Sequence, residues 1–326
     1  MVYVFSSNYL GSQLSRLIFS TVLKPAFFGG IIALTLLFGA FSYASEQPFI
    51  VSKPPPEVPG DARNDWNTKL ITLALEETLE DYGPYEIRET PNMNRARIWK
   101  SIVNNRYPNL VMPTAYSSEH LRGNQIDFIP FPVELGLIGY RVCFYPKSKA
   151  DKISEKLKNG QHRELKYGMH SEWEDAEILR HNGFLVKPIM SYDSLFKMTA
   201  AGRFDLFCRS ISEIYDEYNN YKDLDGLAIE QTTVFHYPLP IFFWINTQNT
   251  LAKERLYTGF LRAFENGKLL VLFTNHYNEK IAFTNFEDRN IIELENPLLD
   301  KLDSAYEQFN FLPSANIHGS HRIQKH

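Results

Sequence analysis

The sequence predicts an α/β chain of two lobes, each a mostly parallel sheet flanked by helices, and three observations lead there. Short runs rich in β-branched and aromatic residues alternate with longer stretches of helical periodicity, the order expected of an open sheet wound with helices. That alternation stops at a charged stretch between Lys147 and Arg163 and then starts again. The chain also has 326 residues, 44% of them hydrophobic, with 24 Phe and 18 Tyr, enough apolar area to fill two cores.

The elements follow in order. Residues 26–43 form an uncharged apolar run, preceded by Arg16 and Lys24 and followed by Ser42-Tyr43-Ala44. This is the pattern of a secretory signal cleaved after Ala44. An uncleaved membrane anchor is the alternative, since the run is about as long as the 17 to 25 residues a spanning helix needs. No cysteine lies at the cleavage region, so lipid attachment is not expected.

Pro48 to Ser52 reads as a strand, broken by Pro54-Pro55-Pro56 and Pro59-Gly60. Asp61 to Tyr82 places Trp66, Leu70, Leu73, Ala74 and Leu79 near helical spacing. A strand at Tyr85 to Arg88, a helix from Asn94 to Asn104 and a buried strand at Leu110 to Met112, ending at Pro113-Thr114, complete the first alternation.

Gly139 to Tyr145 is strongly strand-like. Beyond the charged stretch, a strand ends at Tyr167-Gly168, and a helix from Glu174 to His181 stops at Asn182-Gly183. A strand follows at Leu185 to Ile189. The next helix, Ser191 to Ala201, has Ser191 as its N-cap and Gly202 as its stop, and precedes a strand at Phe204 to Cys208. Pro240 to Asn246 is a further buried strand, and helices over 251–264 and 269–277 close the pattern. The polar tail from Ser304 to His326 is expected to fray in solvent.

Composition limits the chemistry. The formal net charge is −4, and the first 44 residues hold cations but no acid, so the remainder is more acidic still. Such a chain offers no basic field for nucleic acid. The two cysteines, Cys143 and Cys208, form one disulfide in an oxidising compartment or pack as small apolar residues. The nine histidines are scattered without ligand spacing, so neither a metal nor another cofactor is expected. No G-x-S-x-G or H-E-x-x-H motif occurs, and an enzyme is not predicted.

Three stretches carry a family resemblance: Glu177 to Phe184, Tyr192 to Asp205, and Ile291-Ile292-Glu293-Leu294-Glu295-Asn296-Pro297. They resemble the family 3 bacterial solute-binding proteins and their amino-acid-binding relatives, in the type 2 periplasmic binding protein superfamily. The resemblance implies two lobes joined by two hinge crossings, near Ile138 to Val142 and Ile241 to Ile245. It divides the chain into a signal peptide (1–44), the first part of lobe 1 (45–138), lobe 2 with the hinge strands (139–245), the return to lobe 1 (246–303) and a polar tail (304–326).

The family's ligand site implies six candidates here. Thr114 stands in a Thr-x-Thr-x-x-Arg-like stretch where His120 falls near the position of the carboxylate-binding Arg. Tyr116 and Trp173 lie where the family stacks side chains on the ligand, or else they are packing residues. Arg209 replaces the family's ammonium-binding Asp. Its fork of donors either points at an anionic or oxygen-rich ligand or pairs with Glu213, four residues on. Arg141 on a crossing strand faces the cleft or has a structural role. His120 and Glu119 are adjacent and do not form an acid/base pair.

The expectation is therefore a monomeric periplasmic protein that captures a small polar solute, anionic ones included, for the membrane permease of an ABC-type transporter. The alternative is a ligand-sensing module that signals to a membrane partner.

Overall fold

The computed structural model describes residues 47–311 apart from 57–61 and 122. The apolar run at 26–43, its cleavage site and the tail beyond 311 lie outside the described residues. Among the described residues no helix is long and apolar enough to cross a membrane.

In chain order the strands are β1 (Phe49–Lys53), β2 (Tyr85–Glu89), β3 (Met112–Ala115), β4 (Ile126–Phe128), β5 (Tyr140–Pro146), β6 (Lys166–His170), β7 (Leu185–Ile189), β8 (Phe207–Ser210), β9 (Leu227–Ile229), β10 (Thr233–His236), β11 (Ile241–Asn246) and β12 (Asn290–Glu293). The helices are α1 (Ala62–Glu76), α2 (Leu79–Tyr82), α3 (Arg95–Val103), α4 (Ala150–Lys158), α5 (Asp175–His181), α6 (Tyr192–Ala200), α7 (Ile214–Tyr221), α8 (Thr250–Glu265) and α9 (Lys268–Phe283).

Local chemistry explains several boundaries. The Asn94 side chain accepts the Arg97 N–H and starts α3, and Ser191 accepts the Ser194 N–H and starts α6, each removing one orphan donor of a first turn. Past the end of α6, Gly202 turns the chain with φ +68°, a conformation that a side chain disfavours.

Two sheet systems result. In the first, β1 and β2 are parallel and β11 lies between β3 and β4, antiparallel to both. The Val111 N–H donates to Ser52 O at 2.9 Å and the Ser52 N–H to Pro108 O at 3.1 Å, which ties the two groups of strands together. In the second, the order is β12-β10-β5-β8, with β9 also paired to β5. The parallel β6–β7 pair joins this sheet through the Gly168 N–H donating to Leu206 O.

The expectation of mostly parallel sheets is corrected to a mixed arrangement. All pairs made by β5 and β11 are antiparallel. Both strands are reached directly from the other sheet system, without the crossover helix that a parallel connection requires. The chain passes between the systems at 129–139 and again at 237–240, so the second passage precedes the segment expected from sequence. The two passages touch. The Tyr237 N–H donates to Gly139 O at 3.2 Å, and a Cβ on Gly139 would overlap the Tyr237 carbonyl oxygen.

The C-terminal part differs from expectation in two ways. Strand β12 pairs in parallel with β10, so residues 290–293 belong to the second sheet and not to a return into the first. Ser304–Phe309 forms a 3₁₀ turn with Tyr306 and Phe309 buried. Phe309 packs on Phe131 and Phe264 at centroid distances of 4.6 and 5.2 Å, so this part of the tail does not fray. Burial of two aromatic rings outweighs the polar residues between them.

Cys143 and Cys208 are bonded as a disulfide, directly opposite each other in the antiparallel β5–β8 register.

Candidate functional site

A cavity of about 420 Å³ lies where the ends of the two sheet systems face each other. One wall carries Lys53 from β1, Asn64 and Asn67 from α1, Arg95 from α3 and Thr114 from β3. The other carries Arg141 from β5, Asp175 from α5, and Trp173, Arg209 and Glu213. Glu134, in the first passage between the systems, also lines it.

Of the six residues expected at a ligand site, the structure brings Thr114, Arg141, Trp173 and Arg209 to this cavity and leaves Tyr116 and His120 outside it. The two exceptions have a common cause. Strand β11 is buried on both faces: Phe243 and Ile245 enter the main core, while Phe242 and Trp244 form an aromatic cluster with Tyr116. Tyr116 stacks on Trp244 at 6.0 Å, and His120 stacks on Trp99 at 4.5 Å. Burial pushes the His120 imidazole down to about 4, and the charge of Arg95 pushes the same way. Tyr116 thus takes the packing alternative, and His120 is stacked away from the cavity lining.

Arg209 is engaged within its own chain. Its Nη2 lies 2.7 Å from Glu213 Oε1, its Nε donates to Glu217 Oε1 at 2.7 Å, and its guanidinium sits 4.3 Å from the Trp173 ring centroid. The Tyr192 hydroxyl donates to the same Glu217 oxygen at 2.6 Å. All three charged side chains are buried, a condition under which ions remain only as well-bonded pairs. Of the two readings of this fork, the structure shows the pairing: Glu213, and with it Glu217, holds the guanidinium.

Arg141 is similarly placed. Its Nη2 lies 2.8 Å from Asp175 Oδ1, an oxygen that also accepts the Tyr237 hydroxyl at 2.5 Å, and its Nη1 lies 3.7 Å from Glu213 Oε2. It faces the cavity and also anchors this network.

Sequence reasoning missed several cavity groups, three of them charged groups of the site's centre. Arg95, on the first turn of α3, donates from Nη2 to Thr114 Oγ1 at 2.5 Å and to Glu174 Oε1 at 3.3 Å, with its side chain 38% exposed. Asp175, whose backbone begins α5, has only a helix-start signature. Glu134 had a readable signal: it is the one charge in the apolar stretch Phe128 to Tyr140. The Ser212 hydroxyl donates to Glu134 Oε2 at 2.8 Å. Burial raises the Glu134 carboxyl to about 7; the charge of Glu213 adds to this, while Ser212, Arg141 and Arg63 pull the other way.

Among the described residues, no group of three or more His, Cys, Asp or Glu side chains is arranged to hold a metal ion. The arrangement provides cationic and hydroxyl donors on one wall and, on the other, carboxylates paired with the Arg141 and Arg209 guanidinium groups, around a space large enough for a small polar molecule.

No family model matches the sequence, and no curated protein matches it. Among solved structures the chain is similar to the GluR0 ligand-binding core in complex with L-glutamate, with a TM-score of 0.50 and 9% identity over 72% of this chain and 99% of that one. It is also similar to a periplasmic His/Glu/Gln/Arg/opine family-binding protein from Silicibacter pomeroyi in complex with lysine (TM-score 0.48, 10% identity, 71% and 97% covered). A histidine kinase sensor domain with similarity to periplasmic binding proteins is a third (TM-score 0.47, 15% identity, 71% and 96% covered). At such identities the shared property is the fold, and the chain has a type 2 periplasmic binding fold.

Proposed function

We propose that this protein is an exported solute-binding protein that captures a small amine-bearing solute, foremost an amino acid, and delivers it to an ABC-type membrane transporter. The observation that carries this reading is the division of charge around the cavity. Arg95 and Thr114 on one wall suit a carboxylate; Glu134 in the first passage and Glu213 on the other wall suit an ammonium group. The two passages at 129–139 and 237–240 would be the hinge about which two lobes close on the ligand. Half-buried Trp173, held over Arg209, would offer the ligand an aromatic surface. Binding and release, without bond-making chemistry, is the role these groups suit.

The test is a thermal-shift panel of the twenty standard L-amino acids, spermidine, organic acids and sugars. A ligand that binds only the folded state at a hundred times its Kd adds about 2.7 kcal/mol of stability. The expected result is a raised Tm with one or more amino acids, diminished in Arg95→Gln. Shifts confined to sugars or to amine-free acids, or no shift at all, would refute the reading.

A further inference from the structure

We propose that the ammonium group of the ligand docks between Glu134 and Glu213, a subsite built on the passage between the sheet systems and not on the positions that the family resemblance implied. The inference rests on the solute-binding reading above and names its cationic subsite.

Three structural facts converge on it. Glu134 is 8% exposed and lines the cavity, and among the described residues its carboxylate has no ion pair within 4.0 Å; its hydrogen-bond donor is the Ser212 hydroxyl. Every other carboxylate lining the cavity has a basic partner: Glu174 has Arg95, Asp175 has Arg141, and Glu213 has Arg209. Glu213 lies next to Ser212 in the chain, and its Oε2 is buried without a hydrogen-bond donor among the described residues. Two carboxylates whose charges repel, one with no cation within 4.0 Å among the described residues and the other with an oxygen that has only the Arg141 guanidinium at 3.7 Å and no hydrogen bond, would both be satisfied by one ammonium with its three N–H donors. An ammonium also removes the repulsion between them.

A protonic consequence follows. The groups that face Glu134 are Ser212 and Glu213 before α7, Arg141 of β5, Arg63 of α1 and Tyr277 of α9. Balanced among them, its carboxyl titrates at about 7 and is only partly ionised at neutral pH. An arriving ammonium binds the ionised form, so binding at pH 7 releases a fraction of a proton. Affinity falls as pH drops, by about tenfold between pH 8 and pH 6, because the competent fraction shrinks by that factor.

The experiment is isothermal titration calorimetry of the full chain with the twenty L-amino acids and spermidine, each at pH 6 and pH 8. At pH 7, titrations in two buffers of different ionisation enthalpy count the protons released. The expected result is an amine probe that binds about tenfold more weakly at pH 6, with proton release at pH 7. Glu134→Gln, whose amide oxygen still accepts the Ser212 hydroxyl, should weaken that probe at least tenfold at pH 8 and abolish both pH dependence and proton release. The wild-type proton count needs no variant and decides the matter if Glu134→Gln does not fold. A probe that binds without proton release and equally well to Glu134→Gln overturns the subsite while leaving the solute-binding reading intact. Absence of binding by every probe overturns the solute-binding reading, and the subsite with it.

Discussion

Glu134 makes a prediction about stability that needs no ligand. Its carboxyl sits near 7 in the folded chain against 4.5 for an ordinary glutamate, because it is removed from water and faces Glu213. The folded state therefore holds this proton more tightly than the unfolded state does. The resulting stabilisation is complete below about pH 4.5 and is lost as pH rises through about 7. At roughly 1.4 kcal/mol per pH unit, the loss is on the order of 3 kcal/mol. Glutamine cannot titrate, so Glu134→Gln should be close to wild type at pH 5 and more stable by up to that amount at pH 8.5. For a chain of this size, that corresponds to a Tm higher by about 6 °C. Urea unfolding midpoints of both proteins from pH 5 to 8.5 at fixed ionic strength would measure it. His120 and His276, which burial pushes down to about 4, contribute a slope of opposite sign, with stability lost as pH falls below their ordinary range. They are present in both proteins and cancel in the difference. A difference that stays constant across the pH range would refute the placement of Glu134 as a buried, weakly partnered acid.

Three further outcomes are expected. The disulfide closes a loop of 65 residues, so Cys143→Ser with Cys208→Ser should lower stability by about 4 kcal/mol in the chain-entropy account, read as a lower denaturation midpoint that reductant also produces in wild type. Arg209→Met should destabilise the fold by about 3 to 5 kcal/mol by leaving Glu213 and Glu217 buried without their cation; an unchanged Tm with abolished ligand binding would return Arg209 to the role of a ligand contact. Gly259→Ala should destabilise despite a gain of about 1 kcal/mol in helix propensity, since α1 and α8 meet there and a Cβ would overlap the Ala74 carbonyl. Urea denaturation reads that balance, and an increase in stability would show that the two helices separate freely.

Much of the architecture was legible because it is local. The cap Ser191, the stop at Gly202, and the apolar runs that became β5 and β11 are written in neighbouring residues, and the structure places elements there. Helix α9 ran on to Phe283, beyond the expected 277, because its buried positions continue through Lys280 and Ile281. The strands that escaped notice, β4, β9, β10 and β12, have three or four residues each. Pieces so short lack a measurable period and exist because a neighbouring strand offers its backbone groups.

The same division holds for the candidate site. Arg209 with Glu213 was readable as a pair because four residues separate them, and Trp173 and Thr114 were readable as element ends. The placement of Tyr116 and His120 depended on β11 being covered on both faces, a fact about strands far apart in sequence. Arg95 meets Thr114 across 19 residues and Glu174 across 79, and Ser212 meets Glu134 across 78. What the sequence determined by itself was which segments bury a face and where they begin and end, since hydrophobic period and capping act within a few residues. Strand direction, the partners of each buried charge and the walls of the cavity were decided only in tertiary structure, because each depends on groups that the chain brings together after long separations.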